Sequence, residues 1–293
     1  MFNPFTEKHD ATHQDQDLIK EALAGGSAAL ENLILRHQAW IYNIALAMTG
    51  DAPEAEDITQ EILIKMITSL ATYDKTKAAF RTWLYRIVAN HVISRKRCRK
   101  EVAISSLVRG EAYHEYVENI ADDGAHCMPE NKALTREARN ICLTAMLLCL
   151  DKRQRLVFIL GAVFGVNDAQ GGEILDISRD NFRKILSRSR GKLSNFFTKT
   201  CSLIDEKNPC TCSRWVVPMQ GMNLMAQDAG KRPIAFKRIA EVVEDRTRGL
   251  NDMYEREMVA LYRELPFAEP PDMVSWIKRA IASEQFKGFM DLP

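Results

Sequence analysis

Apolar residues recur at intervals of three and four along almost the whole chain, and no stretch alternates apolar and polar positions long enough for a sheet strand. The pattern predicts an all-α fold. From Ser27, read as an N-cap, Leu30, Leu33, Ile34, His37, Ile41, Ile44, Ala45 and Met48 mark one helical face until Thr49-Gly50 stops the helix. Asp51 and Glu54 open the next helix with Pro53 in its first turn, and Ile58, Ile62, Leu63, Met66, Ile67 and Leu70 give its buried face. After a break from Tyr73 to Ala79, a third helix carries Phe80, Trp83, Leu84, Ile87, Val88 and Val92. It runs into Arg95-Lys96-Arg97-Cys98-Arg99-Lys100.

Periodicity fades from Glu101 to about Glu137, where acids dominate, and a structureless stretch of that length marks a boundary between domains. It resumes around Arg139 and continues to Phe197. A second break holds Pro209, Pro218, Gly221, Gly230 and Pro233, before a last block whose best helix carries Leu250, Met253, Tyr254, Met258, Leu261 and Leu265 and ends at Pro266. The expected organisation is a flexible N-terminal tail (1–16), a first helical domain (17–100), an acidic linker (101–137), a second helical domain (138–200), and a Cys- and Pro-containing linker with a helical C-terminal extension (201–293).

Composition adds limits. With 293 residues, 46% hydrophobic and 27% charged, the chain has an ordinary globular balance and length for two or three domains. Its 40 basic and 39 acidic residues nearly cancel, so charge is informative only segment by segment. The N-terminus lacks a basic start followed by an apolar run, and the longest apolar run, Leu156 to Val166, is too short to span a bilayer. A cytoplasmic protein without a membrane segment is expected. Seven scattered cysteines fit a reducing compartment, with Cys142 and Cys149 read as small core residues.

Two helices concentrate positive charge. Phe80 to Lys100 holds Arg81, Arg86, Arg95, Lys96, Arg97, Arg99 and Lys100 with no acid, interleaved with Phe80, Trp83 and Tyr85. Cations neutralise phosphates and aromatic faces stack on unpaired bases, although a solvated basic helix with core aromatics has the same pattern. The second, Ser178 to Lys199, holds Arg179, Arg183, Lys184, Arg188, Arg190, Lys192 and Lys199 against Asp180. Ala169 to Leu175, a tight Asp176-Ile177 turn and Ser178 as N-cap have the spacing of a helix-turn-helix, a motif whose second helix reads base edges with its first residues. Here those are Arg179, Asn181, Arg183 and Lys184, types suited to guanine and adenine. Asp57, Gln60 and Glu61 form an exposed acidic face, which offsetting the helix dipole would also explain. Cys201, Cys210 and Cys212 offer three thiolates where a structural zinc site wants four ligands. No catalytic constellation and no phosphate loop can be assembled, so neither an enzyme nor a cofactor is expected.

The order of these parts resembles a known family. Leu30 to Lys100, with GDAPEAEDITQEILIKM and FRTWLYRIVANHVISRKRCRK, is similar to the promoter-melting domain (region 2) of bacterial extracytoplasmic-function sigma factors. Leu150 to Leu193, with LDKRQRLVFIL and SRDNFRKILSRSRGKL, resembles that family's upstream-element-binding domain (region 4). The tail from NPCTCSRW to LYRELPFAEPPD looks like the extension carried by a subgroup. The resemblance implies core-polymerase contacts at Asp57, Gln60 and Glu61, and a loop from Tyr73 to Ala79 that captures a flipped base of the minus-ten element. It further implies minus-ten contacts at Tyr73, Lys75, Phe80, Arg81, Trp83, Arg86, Asn90, Arg95 and Arg97, and minus-thirty-five contacts at Arg179, Asn181, Arg183, Lys184, Arg188 and Arg190. The partners implied are core RNA polymerase, promoter DNA, and an anti-sigma factor or an intramolecular C-terminal regulator.

Some positions depart from the family pattern. Gly171-Gly172 stand where apolar and small residues are usual and predict a soft first helix of the motif, at about 1 kcal/mol per interior glycine. Asp176 replaces a common turn glycine and Ile185 a frequent basic residue. Two other readings compete: a helix-turn-helix regulator that binds duplex DNA unaided, and a thiol or zinc sensor built on the C-terminal cysteines.

Overall fold

The computed structural model describes residues 3–5, 9–96, 101–102, 105–106, 117, 119–120, 132–225, 237–243 and 252–282. In chain order the helices are α1 (His9–Leu23), α2 (Ser27–Thr49), α3 (Ala52–Ser69), α4 (Phe80–Ser94), α5 (Lys132–Leu147), α6 (Lys152–Phe158), α7 (Asp168–Leu175), α8 (Arg179–Thr200), α9 (Val216–Gly221), α10 (Ile239–Val242), α11 (Met253–Arg263) and α12 (Met273–Ala282). Among the described residues extended pairing is limited to two isolated bridges, Cys201 with Cys210 and Arg238 with Pro266. Packing groups the chain into two units out of sequence order: Met1–Arg95, Val166–Phe182 and Ala268–Pro293 in one, Lys96–Gly165 and Arg183–Phe267 in the other. The serial division expected from composition therefore does not describe the packing.

In the first unit, α2 and α3 form an antiparallel pair because their stoppers work as read. Gly50 takes a left-handed φ of 69° and returns its N–H to the Leu46 carbonyl, and Asp51 Oδ1 accepts from the Glu54 N–H at 3.1 Å. Ser27, however, is the first residue of α2 and not its cap. Gly26 is the cap, at a position where a Cβ would meet the Glu21 carbonyl oxygen at 2.8 Å. Leu33, Ile41, Ile44, Ile62 and Leu63 are fully buried between the helices, each contributing about 1.5–3 kcal/mol.

The expected flexible tail is replaced from His9 onward by α1, which packs on α2. Its buried Asp15 receives Arg36 Nε at 2.8 Å, and Ile19 enters the core. The C-terminal α12 also packs on α2 and α3. Asn43 donates to the Ala268 carbonyl at 2.8 Å and accepts the Ala268 N–H at 2.9 Å; Met273 and Ile277 are buried, and Lys278 pairs with Glu31 at 2.7 Å.

The apolar run Leu156 to Val166, in the second unit as far as Gly165, is largely buried as predicted, but only its start is α-helical. Ile159–Val163 widens to a π-turn, and the Arg263 guanidinium donates to the Ala162 carbonyl there at 3.2 Å. Fully buried Arg155 closes the end of α5, donating to the carbonyls of Leu147 at 3.0 Å and Leu150 at 3.2 Å and pairing with Glu101 at 2.8 Å. Glu101, Ser105 and Val117 are buried. At these positions the acidic linker contributes to a packed unit instead of standing apart from one; most of 101–131 lies outside the described residues.

On α11, capped by Asp252, the buried residues are Met258, Val259, Tyr262 and Arg263, while Met253 and Tyr254 face solvent. The expected stripe was thus misplaced at its start, and Leu250 lies outside the described residues.

Candidate nucleic-acid interface

The break between α3 and α4 is an ordered loop. Asp74 Oδ1 accepts from the Thr76 N–H at 2.9 Å and the Thr76 hydroxyl at 2.6 Å, and these bonds hold its carboxyl below the ordinary range. The Tyr73 hydroxyl donates to the Ala78 carbonyl at 3.1 Å. Burial first, then the Asp15 and Asp74 charges, raise its pKa and keep it a donor. The rings of Tyr73, Phe80 and Trp83 meet with centroids 5.4–5.6 Å apart. Phe80 is only 1% exposed and also packs on His37. In the free chain it therefore supports the loop from beneath the surface. Trp83 is half-buried, and Lys75, Arg86 and Asn90 are exposed.

Two expected DNA contacts are engaged inside the first unit. Arg81 donates to the Pro4 carbonyl at 3.2 Å, where Phe5 packs on Trp40 and Tyr85. Arg86 donates to the Glu173 carbonyl at 2.8 Å, and the Thr82 hydroxyl lies 3.4 Å from the Glu173 carboxylate, because α7 packs along α4. Glu173 escaped sequence reading, since nothing local signals that it meets α4. Arg95 turns to α3, 3.1 Å from Glu54 and 3.8 Å from Glu61. Arg97 lies outside the described residues.

On the acidic face Asp57 and Glu61 are exposed and Gln60 is half-buried. Glu61 lies 3.1 Å from His91 Nε2, and Lys65 Nζ donates to His91 Nδ1 at 2.8 Å. Burial first, then the Lys65 charge, lower the His91 pKa and leave it neutral near pH 7. Lys65 and His91 are further members of this face that the sequence reading missed. Their polar contacts are cross-helix and have no short-range signature.

Two helices, α7 and α8, with a short turn between them form where the spacing predicts. Asn167 caps α7 by accepting from the Gln170 N–H at 2.8 Å, Asp176 adopts φ 52°, and the Ser178 hydroxyl accepts from the Asn181 N–H at 3.2 Å. Both glycines of α7 serve close approaches. A Cβ on Gly171 would lie 2.3 Å from the Phe182 ring, and one on Gly172 would lie 2.8 Å from the Ile177 carbonyl oxygen. Arg179, Asn181, Arg183, Lys184 and Arg188 are exposed, while Arg190 is half-buried, 3.5 Å from Glu255.

Among the described residues no three His, Cys, Asp or Glu side chains are arranged to hold a metal ion, Cys201, Cys210 and Cys212 included. No described helix is long and apolar enough to cross a membrane.

The comparisons with known proteins fall on the same elements. Residues 33–102 match the family model of sigma-70 region 2, spanning α2 to α4. The chain is 29% identical over 176 residues to the extracytoplasmic-function sigma factor SigW of Bacillus subtilis, covering 60% of this chain and 92% of SigW. SigM of the same organism is 26% identical over 160 residues, covering 54% of this chain and 89% of SigM. The sigma-H factor of Pseudomonas aeruginosa reaches 36% identity over 88 residues, 29% of this chain and 45% of that protein. The present chain is longer than these relatives, by roughly the tail that follows α8. All-helical among its described residues and matching sigma-70 region 2 within its first hundred residues, the chain is similar over 54–60% of its length to nearly whole extracytoplasmic-function RNA polymerase sigma factors.

Proposed function

We infer that this chain acts in the cytoplasm as a promoter-specificity factor: it binds core RNA polymerase, directs it to promoters, and opens the start region without catalysing a reaction. The observation that carries this reading is the ordered Tyr73–Ala79 loop beside exposed Lys75, Arg86 and Asn90, inside the segment that matches sigma-70 region 2. Extruding a base costs a few kcal/mol, and a loop held in shape before binding loses little entropy in receiving it. The exposed carboxylates of Asp57 and Glu61, with Gln60 beside them, are the polymerase-docking face. Arg179, Asn181, Arg183, Lys184 and Arg188 read the upstream element from the start of α8. The tail restrains this activity: α12 is anchored on α2 and α3, the helices of the docking domain.

Binding of the full-length chain to bacterial core polymerase, measured with and without an unpaired minus-ten strand, tests the reading. The expected result is tight binding to core and strand capture only by the complex. Tight, sequence-specific binding of the chain alone to duplex DNA, with no affinity for core, would contradict it and favour a stand-alone helix-turn-helix regulator.

A further inference from the structure

Five cysteines that the proposed function leaves unused come together in the second unit. Cys142 lies on α5 and Cys149 just beyond it; Cys201 follows α8, and Cys210 and Cys212 lie on the segment that returns toward α5. All five are free thiols. Cys142 is held well above the ordinary thiol range by burial first, then by the nearby sulfurs of Cys210, Cys212, Cys201 and Cys149. Sequence spacing placed only three of them together.

Within this group one pair has defined geometry. The Cys210 N–H donates to the Thr200 carbonyl at 3.1 Å and the Ser202 N–H donates to the Cys210 carbonyl at 3.0 Å, so Cys201 and Cys210 sit side by side in a parallel bridge. Paired extended segments run about 4.7–4.9 Å apart, inside the window of about 4.4–6.8 Å between Cα atoms that a disulfide requires. The Asn208 amide donates to the carbonyls of Thr198 at 2.9 Å and Cys201 at 3.1 Å and fixes the intervening turn. The Trp215 indole N–H donates to Cys210 Sγ at 3.2 Å. Both lie at the edge of the buried core, Cys201 8% and Cys210 7% exposed.

We propose that Cys201 and Cys210 form a modification site, a peroxide-reactive thiol pair that closes to a disulfide. The Cys210 thiol gives up its proton and the resulting thiolate attacks one oxygen of hydrogen peroxide; the O–O bond breaks, and the departing hydroxide takes up the released proton to leave as water. Cys201 sulfur then displaces the hydroxyl of the resulting sulfenic acid, releasing a second water. Two thiols are oxidised and one peroxide is reduced to two waters. Hydrogen bonds favour both anions against burial, from the Trp215 indole at Cys210 and from the Leu203 and Ile204 N–H groups at Cys201, but at Cys210 the Arg214 cation adds to them, which makes Cys210 the attacking sulfur. Burial raises the pKa of both thiols, so the reaction is slow at neutral pH and quickens as pH rises.

Peptide mapping of the full-length chain after treatment with hydrogen peroxide tests the site. The expected product is a Cys201–Cys210 linked peptide, with loss of two hydrogens and reversal by dithiothreitol. Its rate of formation rises by up to about tenfold per pH unit between neutrality and pH 9, and Trp215 emission changes with it. Cys201→Ser should leave a sulfenic acid on Cys210 that dimedone traps, and Cys210→Ser should abolish both products. Links between other cysteines in preference to this pair would overturn the proposal. So would thiols that react only when the chain unfolds, or stoichiometric zinc in the purified protein that these two thiols hold.

Discussion

Gly171 shows how one residue can mislead and inform at once. By helix propensity it costs about 1 kcal/mol relative to alanine, yet the Phe182 ring occupies the place of its Cβ. Gly171→Ala is expected to destabilise the first unit by about 1–3 kcal/mol through overpacking. Gly191→Ala, in α8 where nothing stands within 4 Å of a built Cβ, is expected to stabilise by about 0.5–1 kcal/mol. Urea unfolding of the two variants separates close approach from propensity, and equal effects would contradict the assignment.

His91 supplies a pH-dependent counterpart. Its pKa is lowered in the folded chain, so the unfolded chain binds the proton more tightly and stability falls as pH drops below about 6.5 toward the folded value. Thermal unfolding from pH 7.5 to 5 should show this loss, and His91→Gln should flatten it. Asp51 and Ser178 were legible as caps because capping is a short-range code. Glu173, Lys65 and Arg155 were not, because their partners lie on other helices.

At the scale of elements, helices α2, α3, α4 and the turn between α7 and α8 follow from periodicity and punctuation. What periodicity could not supply was which helix meets which. The contact of α7 with α4 places Glu173 on Arg86, a residue assigned to the opened strand. Glu173→Lys, which replaces the carboxylate beside Thr82 with a cation, is expected to raise the affinity of the complex with core polymerase for an unpaired minus-ten strand several-fold, as measured by fluorescence anisotropy. An unchanged affinity would mean that α7 does not compete with DNA. Arg155 plays the corresponding internal part in the second unit, closing the end of α5 and neutralising Glu101. Arg155→Met is expected to cost about 3–5 kcal/mol by leaving a buried carboxylate unpaired, and Arg155→Met/Glu101→Leu should recover much of that loss in denaturant titrations.

For the whole molecule, the order of parts along the chain was readable because each domain carries its own charge and capping pattern. The grouping was not, since α7 and α12 join the N-terminal helices from far away in sequence. That placement bears on the tail. Removing residues 201–293 is expected to raise transcription by freeing α2 and α3 from α12, whereas unchanged or lost activity would assign the tail a supporting role.

The central claim, that the chain is a sigma factor docking through Asp57 and Glu61, is tested most directly by run-off transcription with bacterial core polymerase on genomic fragments. Wild type should yield start-site-specific transcripts that disappear without it and weaken in Asp57→Ala/Glu61→Ala. No stimulation by wild type, or transcripts that the double substitution leaves at full strength, would contradict the account.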